Sequence, residues 1–103
     1  MNPVKLHERA VLAATAAQNA FLQEHGDPMY CGFAWSTLPD GRSSFTKALV
    51  AAGVARKGYD GYRIWSPGGY NGQSMSVKEA GAQAYSDTLT ANGIKSYLQS
   101  RAD

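Results

Sequence analysis

Residues 29–36 read MYCGFAWS, and apolar side chains occupy every second position, Met29, Cys31, Phe33 and Trp35. A period of two is typical of a β-strand with one bulky face. The residues Leu38–Gly41 (LPDG) favour a turn, because proline presets its own backbone angle and glycine accepts a positive one. We therefore predict strand one over Met29–Trp35, followed by a tight turn.

Helical periodicity lies on both sides of this strand. Pro3 stands at a helix start, and apolar residues recur at helical offsets until Gly26, Asp27 and Pro28 stop the pattern, which predicts helix one. Helix two is predicted to begin at a Ser43 or Ser44 cap and to end at Gly53. Its apolar residues follow the i, i+3, i+4, i+7 pattern: Phe45, Ala48, Leu49 and Ala52.

The second half of the chain continues the alternation of strands and helices. Tyr59–Ser66 predicts strand two, and the glycine-rich Ser66–Met75 (SPGGYNGQSM) predicts a loop. Ser76–Glu79 has the S-x-x-E pattern of a capping box, which predicts the start of a helix three that Gly93 ends. The alternation from Ile94 to Gln99 predicts strand three.

These elements indicate one domain, residues 1–103, of the α/β type in an α+β two-layer form. The element order is αβαβαβ, with a small three-stranded sheet covered by helices mainly on one face. The helices between strands supply the crossovers that parallel pairing needs.

An internal repeat accompanies this order. The ends of helices two and three match at a constant offset of 40 residues, and Trp35-Ser36 matches Trp65-Ser66 at an offset of 30. A strand-helix unit that occurs twice explains both offsets, although chance similarity of short helices is the alternative. The second copy has the longer loop, and function most often occupies such insertions.

Composition limits the function classes. The 103 residues are 44% hydrophobic, enough for a core, and the single cysteine, Cys31, excludes an intramolecular disulfide or a cysteine-rich zinc site. The two histidines, His7 and His25, lack metal-ligand spacing, so we predict no metal site, no cofactor and no catalytic residues, although catalysis stays open. No leader or membrane anchor is evident, which favours a cytoplasmic protein.

The net charge of +2 is unevenly distributed. Residues 41–75 carry five cations against the single carboxylate of Asp60. An anionic partner would be drawn to this third of the chain, although a solvated surplus of charge is equally compatible with the pattern.

The loop Ser66–Met75 and the start of helix three are the predicted ligand site. Free amide groups and a helix dipole favour an anion there, but the glycines match neither a P-loop nor a dinucleotide fingerprint. Tyr62 or Tyr70 would stack, and Arg63 or Lys57 would pair with the anion. The predicted ligand-binding residues are Lys57, Tyr62, Arg63, Tyr70, Ser74 and Ser76, and the alternative is a plain flexible loop. Trp65, at the end of strand two, is expected to pack in the core rather than stack on a ligand.

Three segments resemble small proteins encoded by tailed bacteriophages: Cys31–Trp35, Gln73–Met75 followed by Lys78–Ala82, and Ser100–Asp103. The resemblance implies an intracellular protein in an infected bacterium, in the host cytoplasm, and it carries no known active site.

The leading hypothesis is therefore a non-enzymatic binding protein for an anionic small molecule, such as a nucleotide. The first alternative is a protein that inhibits or assists a host protein, and the second is binding of single-stranded nucleic acid, which the modest charge favours less. No membrane partner is expected, and a homo-oligomer is compatible with the size of the chain.

Overall fold

The computed structural model describes residues 2–28 and 30–103, which form three helices and a four-stranded antiparallel sheet. The helices are α1 (Pro3–His25), α2 (Ser44–Ala51) and α3 (Met75–Ala91). The strands are β1 (Gly32–Leu38), β2 (Arg56–Gly58), β3 (Gly61–Trp65) and β4 (Tyr97–Ala102). Their order across the sheet is β2-β3-β1-β4.

The α+β class is confirmed, but the predicted three-stranded sheet and the simple αβαβαβ order are wrong in detail. Predicted strand two contains β3, but its first residues, Tyr59 and Asp60, form the turn of a hairpin with β2, a strand that was not predicted. The chain reverses there because Gly61 adopts a φ of 135°. Lys57 then pairs with Tyr62, and Gly58 with Gly61. The sequence signal for this turn, Asp60-Gly61, lies inside the run that otherwise resembles one strand.

Neighbouring strands of the sheet are all antiparallel, so the parallel pairing expected from the helical crossovers is wrong. β3 is antiparallel to both β1 and β2, so the strands that α2 connects share a direction but are separated by β3. The order β1-α2-β2-β3-α3-β4 with this strand arrangement is the split βαβ topology of ferredoxin-like folds, here preceded by α1.

α1 forms as predicted. The Asn2 side chain accepts from the backbone N–H groups of Val4 and Lys5, and Pro3 occupies a position that needs no hydrogen bond. The helix ends at Gly26, which has a φ of 74°. Its buried residues are spaced every four positions on one face: Leu6, Ala10, Ala14 and Gln18.

The helices cover one side of the sheet, and their apolar faces form the core there. Leu38 of β1 and Ile64 of β3 pack in the same cluster as residues from all three helices. The helix residues of this cluster are Leu6, Ala10, Ala14, Phe45, Leu49, Tyr85 and Leu89.

The start of α3 differs from the predicted capping box. Ser74 is the N-cap, and its hydroxyl accepts from the backbone N–H of Val77 at 3.4 Å. Ser76 and Glu79 lie inside the helix, where the Glu79 carboxylate accepts from the Ser100 hydroxyl of β4 at 2.6 Å. Ser74 is favoured because Met75 already donates its N–H to the carbonyl of Tyr30, which fixes the chain just before the helix.

The ends of α2 and α3 are built alike, as the repeat suggested. Gly53 and Gly93 have φ values of 76° and 83°. The residues after them donate to the same position in each helix, Val54 to the Leu49 carbonyl and Ile94 to the Leu89 carbonyl, both at 2.9 Å. Because this cap uses Ile94, predicted strand three begins later, at Tyr97.

β1 begins at Gly32 and continues to Leu38, beyond the predicted end at Trp35. The predicted start at Met29 lies outside the described residues. The turn therefore starts at Pro39, where the Asp40 carboxylate accepts from the Arg42 N–H at 3.0 Å.

Candidate functional site

The side of the sheet that faces away from the helices carries aromatic and cationic side chains, and we call it the open face. Successive residues of a strand point to opposite sides, so the residues that alternate with core-facing Leu38 and Ile64 belong here. The open face consists of Phe33, Trp35 and Thr37 of β1, Arg56 of β2, Arg63 and Trp65 of β3, and Tyr97, Gln99 and Arg101 of β4.

Three aromatic rings meet at the centre of the open face. Trp35 and Trp65 are direct cross-strand partners, and their ring centroids are 4.7 Å apart. Phe33 meets Trp65 edge-on, with centroids 6.3 Å apart. Trp35 is covered and only 6% exposed, whereas Trp65 is 44% exposed. The expectation that Trp65 packs in the core is wrong, because its register places it on the side that has no helix.

Cationic groups surround these rings. The Arg63 guanidinium lies 4.6 Å from the centre of the Trp35 ring and 6.0 Å from that of Trp65. The Phe33 ring has the Arg101 guanidinium at 5.8 Å and the Lys78 ammonium at 5.2 Å. These are cation–π distances.

None of these cations has a carboxylate partner in the part of the chain that the structure describes. The ion pairs found in residues 2–28 and 30–103 are His25 with Glu24 and Arg42 with Asp40, both away from the open face. The Arg63 Nε is moreover buried without a hydrogen-bond acceptor among the described residues. A buried donor without an acceptor costs free energy. The positive charge of the open face is therefore available to an anion.

Gln99 fixes the geometry of the open face. Its Oε1 accepts from the Trp35 indole N–H at 3.1 Å and from the Thr37 hydroxyl at 2.6 Å. Its Nε2 donates to the Asp60 carboxylate at 2.8 Å, which ties β4 to the β2–β3 turn. Tyr59, in the same turn, is 96% exposed.

The six predicted ligand-binding residues do not converge on one place. Lys57 and Tyr62 are cross-strand partners on the helix side of the sheet, and Tyr62 packs against the core. Arg63 points to the opposite side. Tyr70 donates its hydroxyl to the Asp27 carboxylate at 2.6 Å, and this bond raises the pKa of Tyr70.

The start of α3 offers few amides to a ligand. The N–H groups of Met75, Val77 and Lys78 donate to the Tyr30 carbonyl, the Ser74 hydroxyl and the Ser74 carbonyl. Ser74 is itself buried, and Ser76 lies in the first turn. A ligand role for these loop residues stays a prediction, and Arg63 alone of the six belongs to the open face.

Sequence reasoning missed several residues in and around the open face: Phe33, Trp35, Trp65, Lys78, Tyr97 and Arg101. The alternation that defines strand one already places Phe33 and Trp35 on one bulky face. What the alternation lacks is the information that the helices cover the other face.

Comparisons of the chain with protein-family models, with curated proteins and with solved structures find no match, so the site is interpreted from its own geometry. Within residues 2–28 and 30–103, no group of three or more His, Cys, Asp or Glu side chains is placed to hold a metal ion. None of the helices of this part of the chain has both the length and the apolar character needed to cross a membrane.

Proposed function

We propose that this protein binds single-stranded nucleic acid on the open face. The observation that carries the proposal is the exposed Trp65 ring beside Phe33, flanked by the cations Arg63, Arg101 and Lys78. Bases stack on aromatic rings, and neighbouring cations contact the phosphates that connect them.

The position of the rings within the sheet supports a single strand in particular. Phe33 and Trp65 lie on β1 and β3, the two central strands of a four-stranded sheet whose back is covered by helices. RNA-recognition domains stack two or three unpaired bases on a sheet of this form. A duplex is instead read by a helix or a two-stranded ribbon that enters its groove, and α1, α2 and α3 all lie on the other side of the sheet.

The stacking and phosphate contacts predicted from the sequence are kept in this proposal, but they are assigned to the open face of the sheet instead of the loop Ser66–Met75. The resemblance to phage proteins would place such binding in the cytoplasm of an infected bacterium. Tryptophan, tyrosine and arginine are also enriched where proteins bind proteins, so a host protein is the competing occupant. Unlike a protein interface, a phosphate interface loses affinity steeply as salt is added.

Fluorescence anisotropy with a labelled oligothymidylate of about 8 nucleotides, within the usual site size, tests the proposal. Trp65→Ala should weaken binding by ~1–3 kcal/mol, the contribution of one stacked base, and Trp65→Phe should recover most of it. Arg63→Gln should lower the slope of log affinity against log salt by about 0.7, the value for one phosphate contact.

Lys47→Gln is the matched control, because it removes an exposed cation of α2 that lies away from the open face. It should leave both the affinity and the slope almost unchanged. The proposal is wrong if no oligonucleotide binds at low salt, or if Trp65→Ala and Lys47→Gln have the same effect. If instead a host protein binds with an affinity that salt does not change and that Trp65→Ala lowers, a protein is the occupant of the open face.

A further inference from the structure

The open face ends in a pocket of about 240 Å³ beside the Phe33 ring. It is lined by Cys31, Gly32, Phe33, Gln73, Lys78 and Asp103. Past the end of β3, the segment before α3 takes its place beside β1, where Gly32 donates its N–H to the Gln73 carbonyl at 3.2 Å. On the other side, Asp103 donates its N–H to the Cys31 carbonyl at 3.2 Å. Backbone hydrogen bonds therefore fix the chain on both sides of β1 beside the pocket.

Two hydrogen-bond donors lie in this pocket. Lys78 uses one ammonium proton to reach the Gly32 carbonyl at 2.8 Å, which leaves two protons for a ligand. The Gln73 Oε1 accepts from the Cys31 thiol at 3.4 Å, which leaves the Gln73 amide nitrogen as a donor.

Asp103 also lines the pocket, and its carboxylate is the group that would supply the acceptor. It forms no ion pair with Lys78 or any other cation among the residues that the structure describes. An unpaired carboxylate beside a nucleic-acid surface is unfavourable for phosphate, because like charges repel. It is favourable for the N–H groups of a base.

We infer that this pocket selects a guanine base in the single strand bound to the open face, an inference that rests on the proposed function. Guanine has two adjacent donors, N1–H and the N2 amino group, which match the two oxygens of the Asp103 carboxylate. Its acceptors O6 and N7 match the ammonium of Lys78 and the amide of Gln73. The Phe33 ring offers a surface on which the purine stacks.

The other bases complement the pocket less well. The Watson–Crick edges of adenine and cytosine each carry one amino group, and that of thymine or uracil carries one ring N–H. Each of these bases would leave one carboxylate oxygen of Asp103 without a donor from the ligand. An unsatisfied partner of this kind is the usual source of discrimination between similar ligands. The pocket is also smaller than the ~300–1,000 Å³ that hold drug-sized ligands, which suits a base rather than a whole nucleotide.

The test compares oligothymidylates that differ at one position, which carries guanine, hypoxanthine, adenine or thymine. Guanine should bind about tenfold more tightly than thymine or adenine, as expected for one bidentate contact. Hypoxanthine, which lacks the N2 amino group, should lose most of that preference. Asp103→Asn should abolish the preference for guanine and leave the affinity for the all-thymine strand unchanged or higher.

Asp87→Asn is the control, because it neutralises an exposed carboxylate on α3 that accepts from Gln83 and lies away from the pocket. It should preserve the preference for guanine. Tight, Trp65-dependent binding of every strand with equal affinity would overturn this inference and leave the proposed function intact. Absence of binding to any strand would overturn both. A loss of affinity that is equal for all strands in Asp103→Asn would also refute the base-selective pocket.

Discussion

Gly81→Ala should destabilise the protein, although alanine is the better helix former. Gly81 lies in α3 where the helix meets α1, and a Cβ added there would overlap the Gln18 amide and lie 2.8 Å from its Cδ. Gln18 is 3% exposed, and Gly68 confines the same amide on its other side. The amide therefore has no space into which it can move.

The magnitude follows from two opposing terms. Replacing glycine by alanine inside a helix stabilises by up to ~1 kcal/mol, whereas overpacking a closed site costs ~1–3 kcal/mol. We expect a net loss of about 1 kcal/mol in the free energy of unfolding, which lowers the Tm by roughly 4–8 °C for a domain of this size. When Gln18 is also replaced by alanine the overlap disappears, and Gly81→Ala in that background should stabilise by about 1 kcal/mol.

Urea denaturation followed by far-UV circular dichroism measures all four proteins of this cycle. The decisive quantity is the coupling between the two substitutions, expected at about 2 kcal/mol and within the range for residues in contact. If Gly81→Ala stabilises equally with and without Gln18, the two residues are not packed against each other and the reasoning fails.

Two further predictions concern the start of α3 and the protonation of His7. Ser74→Ala should lower the free energy of unfolding by about 1 kcal/mol, because it removes the acceptor for the Val77 N–H, whereas Ser76→Ala should change it by only a few tenths. Equal losses in urea denaturation would contradict the assignment of the cap to Ser74. Burial lowers the pKa of His7, opposed by a weaker effect of Glu8, so the folded state prefers neutral His7. Its contribution to stability should be complete above about pH 6.5 and decline as the pH falls below that value, and a pH-independent difference between the native protein and His7→Gln would refute this.

Local patterns predicted the parts of the fold that local hydrogen bonds determine. α1 follows from its apolar spacing and from Pro3 at its start, and the ends of α2 and α3 follow from Gly53 and Gly93. The start of α3 was harder to predict, because Ser74 and Ser76 are the residues on either side of Met75 and both are residue types that cap helices. The backbone contact between Met75 and Tyr30, which joins distant parts of the chain, decides between them.

Strand direction and the site depended on long-range pairing. Tyr59–Ser66 resembles one strand until Asp60-Gly61 is recognised as a hairpin turn, and only that turn inserts β3 between β1 and β2. Trp65 then lies opposite Trp35 on the side that the helices leave uncovered. Alternation predicts that such residues share a face but not whether that face is covered.

The three hydrogen bonds of Gln99 have a consequence for how tightly a ligand can be held. They lock the Trp35 indole and the β2–β3 turn in one arrangement before any ligand arrives. A preorganised platform of this kind loses little side-chain entropy on association, so more of the stacking energy appears as affinity. A ligand therefore binds to a surface that already has its bound conformation, and no rearrangement of these side chains has to accompany association.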